Sequence, residues 1–310
     1  MNTETIILGV AVALASAGLT ALFWFVHPFR VLLLIVLGRN HCPLRDVWSA
    51  PRYRAKRLKL RAELARSARI IEEDGESVRW EIAGERYWLP RGSRILPGML
   101  ADQKLDVYEA AGGGVRRGDV VLDCGASIGL YMLHALAKGA AHVVAVELSP
   151  RNLECLRRNL AAELQAGRVT ILSKGVWDRE DLLTLRMQPE NSAADSVALS
   201  YRGSRQGPKV PVTTIDAIVR ELDLQRLDYI KMDVEGAERE ALRGAAETLR
   251  RFHPRLTIAM EHRFEDPRDI PKVVADVCDG YRAQCGPCTD MGNALRPVVM
   301  DFQWMPSATT

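Results

Sequence analysis

Three regimes of hydrophobic patterning divide the chain. Ile6–Val26 is apolar or small at all 21 positions and carries no charge. From Arg39 to residue 75 basic residues dominate, with a rough apolar stripe at Leu58, Leu60, Leu64, Ala68 and Ile70. From Asp119 onward short apolar runs alternate with stretches of helical period. That third regime predicts strands near 120–124, 142–147, 168–173, 228–233 and 255–261, and helices over 129–138, 150–165, 216–222 and 237–251. Val210–Ile215 reads as a further strand, and 298–304 as the strand that closes the sheet. Such alternation implies a parallel sheet covered on both faces. Between the second and third regimes, Val78, Trp80 and Ile82 alternate, Gly84 turns and Tyr87–Leu89 return, which predicts a hairpin. Residues 91–99 read as a loop and 105–110 as a short helix.

The first regime has the length of a membrane span. At about 1.5 Å per residue a helix over Ile6–Val26 covers roughly 30 Å, one bilayer core. His27–Arg30 interrupts it and Val31–Leu37 adds a second apolar piece. No Lys or Arg precedes the run, which favours a retained single-pass anchor over a cleaved signal peptide. The basic residues that follow place the rest of the chain in the cytoplasm. The expected organisation is therefore an anchor over 1–38, a basic juxtamembrane linker or helix over 39–75, a hairpin and lead-in over 76–117, and a main domain over 118–305. Charged residues at 26% and hydrophobic residues at 47% are ordinary for a globular chain. A net charge of +3 makes no case for nucleic acid. Cys285-Gly286-Pro287-Cys288 has redox or metal-pair spacing but lacks the strand and helix of a redox motif and a fourth ligand. In a cytoplasmic domain it reads as a surface turn with reduced thiols.

The chemistry sits at the strand ends. Asp123, Gly125 and Gly129 form D-x-G-x-x-x-G after an apolar strand. The dinucleotide fingerprint would need glycine at Ser127 and Leu130, so a Rossmann dehydrogenase is disfavoured. The spacing is instead that of S-adenosylmethionine (SAM) sites. Glu147 ends the second strand, where a carboxylate accepts hydrogen bonds from ribose hydroxyls. The fourth major strand runs into Asp233, Glu235 and Glu238 around Gly236, and the fifth ends in Glu261 and His262. These two clusters are expected to face one cleft. Asp233 or Glu235 would orient or deprotonate a hydroxyl, and His262 would serve as a base near neutral pH. Glu238 alone reads equally as a helix-start acid. A divalent-cation site at Asp233, Glu235 and Glu261 stays open, without being the expectation.

Val121–Gly129, Glu147 with Ser149-Pro150-Arg151-Asn152, Thr213-Thr214-Ile215-Asp216 and, above all, Lys231–Glu238 followed by Leu242-Arg243-Gly244-Ala245 resemble the FkbM family of methyltransferases. The resemblance covers roughly 118–265. It implies a class I methyltransferase fold, a Rossmann-like, doubly wound α/β architecture with a mostly parallel seven-stranded sheet, here preceded by a transmembrane helix. It also implies SAM as cofactor and O-methylation of sugar or polyketide hydroxyls. By position, Asp123, Gly125, Ala126 and Gly129 would line the methionine end of SAM. Glu147 would hold the ribose, Asn152 would also bind the cofactor, and Val176 and Trp177 would flank the adenine. Cys124 and Ser127 stand where Val and Asn are commoner, without disturbing the glycine spacing. The expected function is thus a membrane-anchored O-methyltransferase acting on a glycan, lipid-linked or secondary-metabolite hydroxyl; an inactive SAM-fold scaffold at the membrane is the alternative. Acceptor choice is expected in the 187–209 loop, with Asn191, Ser192 and Tyr201.

Overall fold

The computed structural model describes residues 27–109 and 112–305, together with 9, 12, 15, 16 and 18. The expected membrane span, Ile6–Val26, lies for the most part outside the described residues. Among the described residues no helix is long and apolar enough to cross a membrane.

Helix α1 (His27–Val36) contains most of the second apolar piece. Val31 and Leu34 are buried in protein, packed with Val47, Ala50 and Leu295. Arg30 pairs with Asp290 in the same contact, with both side chains buried. Helix α2 (Ala50–Ser67) carries Pro51 in its first turn, where the missing N–H costs nothing. It buries Leu64 and keeps most of its basic residues outside.

A three-stranded antiparallel sheet follows: β1 (Arg69–Asp74), β2 (Ser77–Ile82) and β3 (Glu85–Pro90). The hairpin β2–β3 matches the alternation. β1 was expected as linker, because all six of its residues are exposed and no period of two marks it. Helix α3 (Leu96–Lys104), with Pro97 in its first turn, replaces the expected loop, and 105–109 is turn rather than helix.

The main domain contains β4 (Val120–Cys124), α4 (Leu130–Ala137), β5 (His142–Val146), α5 (Pro150–Asn159), α6 (Ala161–Gln165), β6 (Val169–Leu172), β7 (Gly175–Val176), β8 (Asp181–Met187), β9 (Arg205–Thr213), α7 (Ile215–Glu221), β10 (Tyr229–Met232), α8 (Glu238–Arg243), α9 (Ala246–Phe252), β11 (Arg255–Ala259), α10 (Asp266–Val277), β12 (Tyr281–Cys285), β13 (Cys288–Asp290), β14 (Leu295–Pro297) and β15 (Val299–Trp304). Seven strands form one sheet in the order β12-β15-β11-β10-β4-β5-β6. β15 runs antiparallel to both β11 and β12, while the pairs from β11 to β6 are parallel. Val121 and Leu122 show why the strands read as continuous apolar runs: neighbours on β4, they enter separate cores on the two faces. The strand expected over 210–215 lies instead in a small sheet with β7 and β8. The helix expected over 237–251 breaks at Gly244, where a Cβ would lie 2.1 Å from the Trp177 carbonyl oxygen.

From β4 the chain winds outward through β5 to β6, then returns to β10 on the other side. The reversal opens a crevice beyond the carboxyl ends of β4 and β10, where doubly wound sheets hold ligands. A second correction concerns the cysteines. Cys288 is buried and forms a disulfide with Cys42, 246 residues away, while Cys285 stays free. The β13–β14 hairpin is not a surface turn, because the segment carrying α1 covers it.

Candidate active site

The turns after β4 and β10 approach each other across the crevice. Gly125 has φ +82°, and a Cβ there would lie 1.9 Å from the Asp233 carbonyl oxygen. Only glycine permits this approach. Lys231 ties the two turns together. Its ammonium lies 3.1 Å from Asp123 Oδ1 and donates to the Gly125 carbonyl at 3.0 Å. Asp123 is fully buried and does not line the cleft. Burial opposes the charge on Lys231, but Asp123 and Asp233 raise its pKa, so it stays an ammonium. Gly129, with φ +90°, also lies off the cleft. A Cβ there would sit 2.7 Å from Leu156 Cδ1, so its small size serves helix packing.

The cleft measures 1070 Å³ including space open to solvent. One end is lined by Gly125, Ala126, Ser127, Glu147, Asn152 and Val176. Glu147 accepts the backbone N–H groups of Ser127 at 2.7 Å and Ser149 at 2.8 Å, one on each carboxylate oxygen. Asn152 Nδ2 donates to Oε1 as well, at 3.5 Å, so Oε2 is the oxygen that keeps a lone pair for a further donor. Burial pushes the Glu147 carboxyl up to about 7, against the pull of those amides. Ser127 Oγ and Asn152 Oδ1 are buried and meet no hydrogen-bond partner in the chain. Orphaned polar atoms at such a wall fit a polar ligand. Trp177 does not reach the cleft. It follows Val176 directly, and alternation along the strand turns the two side chains to opposite sides.

The other end holds Asp233 and Glu235, faced by Met99, Gln103, Val107 and Tyr108. His262 stands behind the acids, with Nδ1 2.8 Å from Glu238, and Nε2 3.3 Å from Asp233 and 3.6 Å from Glu235. Side-chain exposure decides which group faces the cleft: 27% for Asp233 and 17% for Glu235, but 5% for His262 and 1% for Glu238. Burial opposes protonation of His262, yet Glu238 and Glu235 hold its pKa well above the ordinary value. His262 thus sits among three acids, Asp233, Glu235 and Glu238, which favour its protonated form. Asp233, Glu238 and His262 present ligand atoms within 4.8 Å of one another. In this structure both ring nitrogens lie against carboxylates. Glu261 lies outside that set and off the cleft, and burial raises its pKa.

Asp233 is braced from the opposite wall. Tyr108 donates to its Oδ2 at 2.6 Å. Burial works against the charge on Asp233, but Lys231, His262 and Tyr108 keep its carboxyl below the usual range. Tyr201 donates to Glu235 Oε2 at 2.6 Å. Glu235 itself has φ +53° and Ser127 φ +50°, left-handed conformations that cost a non-glycine residue about 1–3 kcal/mol. Glu238 stabilises the first of these turns by accepting the Val234 N–H at 3.0 Å. Of the expected specificity loop, Ser192 is buried and its carbonyl accepts from Asn152 at 2.9 Å. Ala193, Asp195 and Val197 line the cleft.

Lys231, Glu238 and Tyr108 were not among the expected site residues. A lysine inside the otherwise apolar Tyr229–Met232 was a legible signal. Tyr108 had none.

A model of the methyltransferase FkbM domain matches residues 123–282, just over half of the 310-residue chain. The chain is 30% identical over 178 residues to the AMB antimetabolite synthetase AmbE of Pseudomonas aeruginosa; that match covers 45% of this chain and 8% of AmbE. It is 26% identical over 220 residues to the hexuronic acid methyltransferase AglP of Haloferax volcanii, covering 70% of this chain and 84% of AglP. Among solved structures, the FkbM methyltransferase of Methylobacillus flagellatus superposes with a TM-score of 0.45 at 22% identity, over 62% of this chain and 46% of that one. With its strand-end motifs gathered at one cleft and more than half its length matched, the chain belongs to the FkbM methyltransferase family.

Proposed function

We propose that the chain is a SAM-dependent O-methyltransferase, held at the membrane by Ile6–Val26. Its acceptor is a hydroxyl of a glycan, lipid-linked or secondary-metabolite molecule. One observation carries the enzymatic reading. Glu147, a buried carboxylate at the end of β5, and Asp233, the most exposed acid of its cluster, line the same cleft.

The backbone at Gly125 and Ala126, the orphaned Ser127 and Asn152 atoms, Glu147 and Val176 would hold SAM. When bound, the cofactor supplies an electrophilic methyl group on a sulfonium sulfur. Asp233 accepts a hydrogen bond from the acceptor hydroxyl and points its oxygen. A carboxyl held below its ordinary range is a weak base toward a neutral hydroxyl, so Asp233 chiefly positions it and takes its proton as the O–CH3 bond forms and the S–CH3 bond breaks, when that oxygen becomes strongly acidic. Tyr108 and His262 keep the Asp233 carboxylate in place. The likeness to AglP supports a glycan acceptor, and the uncharged run at the N-terminus supports one that resides at a membrane.

The test is transfer of labelled methyl from SAM to membrane lipid and glycan fractions, followed by mild base. Label that survives base is a methyl ether, as expected. Label lost to base is a methyl ester, which would overturn the hydroxyl acceptor.

A further inference from the structure

The catalytic reading makes no use of α1 or the turn after it. The inner side of α1 buries Val31 and Leu34. Its outer side carries Leu32 and Val36, one turn apart, and Leu37 follows. The turn over 44–49 repeats the arrangement, with Val47 inside and Leu44 and Trp48 outside. Each of Leu32, Val36, Leu37, Leu44 and Trp48 is more than half exposed. Single exposed apolar residues are ordinary, whereas a dense group on one element marks a contact surface. This group is not on a loose strap. The Cys42–Cys288 disulfide and the buried Arg30–Asp290 pair fasten both parts to β13.

Charge surrounds the apolar group with one sign. Between residues 38 and 61 there are eight Lys and Arg and one acid, Asp46. Arg39 and Arg45 are exposed beside the apolar side chains. Arg52, Lys56 and Lys59 share the outer face of α2, while Tyr53, Arg57, Leu60 and Leu64 share its inner face. Among the described residues, Arg39, Arg52, Lys56 and Lys59 form no ion pair. Leucines and an indole rimmed by unpaired basic residues are the chemistry of an anionic lipid interface.

We propose that this face seats the catalytic domain on an anionic bilayer, with Leu32, Val36, Leu37, Leu44 and Trp48 in the interfacial layer and the basic residues against lipid phosphates. The inference rests on the anchor reading, because the uncharged run ends at Val26, one residue before α1, and so brings this face to the membrane. It adds a second attachment that fixes the orientation of the domain. That attachment reaches the cleft, since Arg57 of α2 grips Asp102 of α3, and α3 supplies Met99 and Gln103 to the cleft wall.

The experiment uses the full chain carrying Trp24→Phe, in vesicles of phosphatidylcholine alone or mixed with phosphatidylglycerol. Brominated lipids then quench tryptophan emission, and the further variant Trp48→Phe isolates the signal of Trp48. Retained SAM binding verifies that the variants fold. The proposal expects quenching of Trp48 that is stronger on the anionic vesicles. Vesicle flotation without Trp48 quenching would leave the anchor reading standing and overturn this one. Absence of flotation would overturn both. Trp48 shielded from aqueous acrylamide yet untouched by brominated lipid would mean that protein covers the face, and would also overturn the proposal.

Discussion

The two walls of the cleft are built on different terms. One wall comes from the ends of β4, β5 and β10. Its turns are short and fastened to one another: Glu147 after β5 accepts the amides of Ser127, after β4, and of Ser149, and Lys231 bridges to Asp123 and Gly125, while Glu238 accepts the Val234 amide within its own turn. The other wall comes from α3 and the turn after it. It is held by pairs distant in sequence, Arg57 with Asp102 across 45 residues and Tyr108 with Asp233 across 125. Strand-end motifs therefore carry the chemistry, while the pairs made by α3 and the turn after it decide how the cleft is closed. Substitutions in the two walls separate these contributions.

The largest expected effect lies in the first wall. His262→Ala leaves Asp233, Glu235 and Glu238 crowded without their shared cation. Breaking a buried charge cluster costs about 3–5 kcal/mol, measurable by urea unfolding. The folded pKa of His262 is raised above the ordinary imidazole value of 6.5. Its stabilisation is therefore full below that value and lost only as pH rises through the raised one. The stability gap between wild type and His262→Gln should accordingly narrow at alkaline pH. A gap that widens with pH would show that His262 is not held as a cation.

Next comes the frame outside both walls. Cys42→Ser removes a cross-link between distant residues, worth about 2–4 kcal/mol in typical cases. Thermal unfolding should drop accordingly, with methyl transfer in the folded state retained. Unchanged melting, with or without reductant, would mean that Cys42 and Cys288 are not bonded in solution.

Within the cleft, Asp233→Asn should lower turnover at least about tenfold, equivalent to about 1.4 kcal/mol, with SAM affinity nearly unchanged. Equal turnover would remove Asp233 from the reacting centre. Tyr108→Phe should do less. It deletes one hydrogen bond to Asp233 but leaves the carboxylate itself, Lys231 and His262 in place. Part of that loss should appear as a weaker acceptor KM, since Tyr108 belongs to the second wall. A loss confined to SAM affinity would place Tyr108 in the wrong half of the cleft.

The same contrast explains what the sequence made legible. The parallel core, the two glycine-bearing turns and the acids at Asp233 and Glu235 follow from apolar runs and motif spacing. Trp177 misled because its neighbour Val176 took the inward position. Glu238 and His262 read as a helix-start acid and a base, and their mutual contact, 24 residues apart, changes both roles. The second wall left almost no trace. β1 has no alternation because it is exposed throughout, and α1 looked like membrane because only its inner side meets protein. The Cys42–Cys288 bond was hidden for the same reason, since 246 residues separate its ends.

The most direct measurement is calorimetric titration of SAM into the full chain and into Glu147→Ala and Glu147→Gln, at pH 6 and pH 8. Ribose hydroxyls donate to a carboxylate better than to a carboxylic acid, and burial pushes Glu147 up to about 7. Wild-type affinity should therefore rise with pH more than that of Glu147→Gln, whose side chain does not titrate, and Glu147→Ala should bind weakly at both values. Tight binding to Glu147→Ala, or no binding to the folded wild type, would contradict a cofactor site built at the ends of β4 and β5.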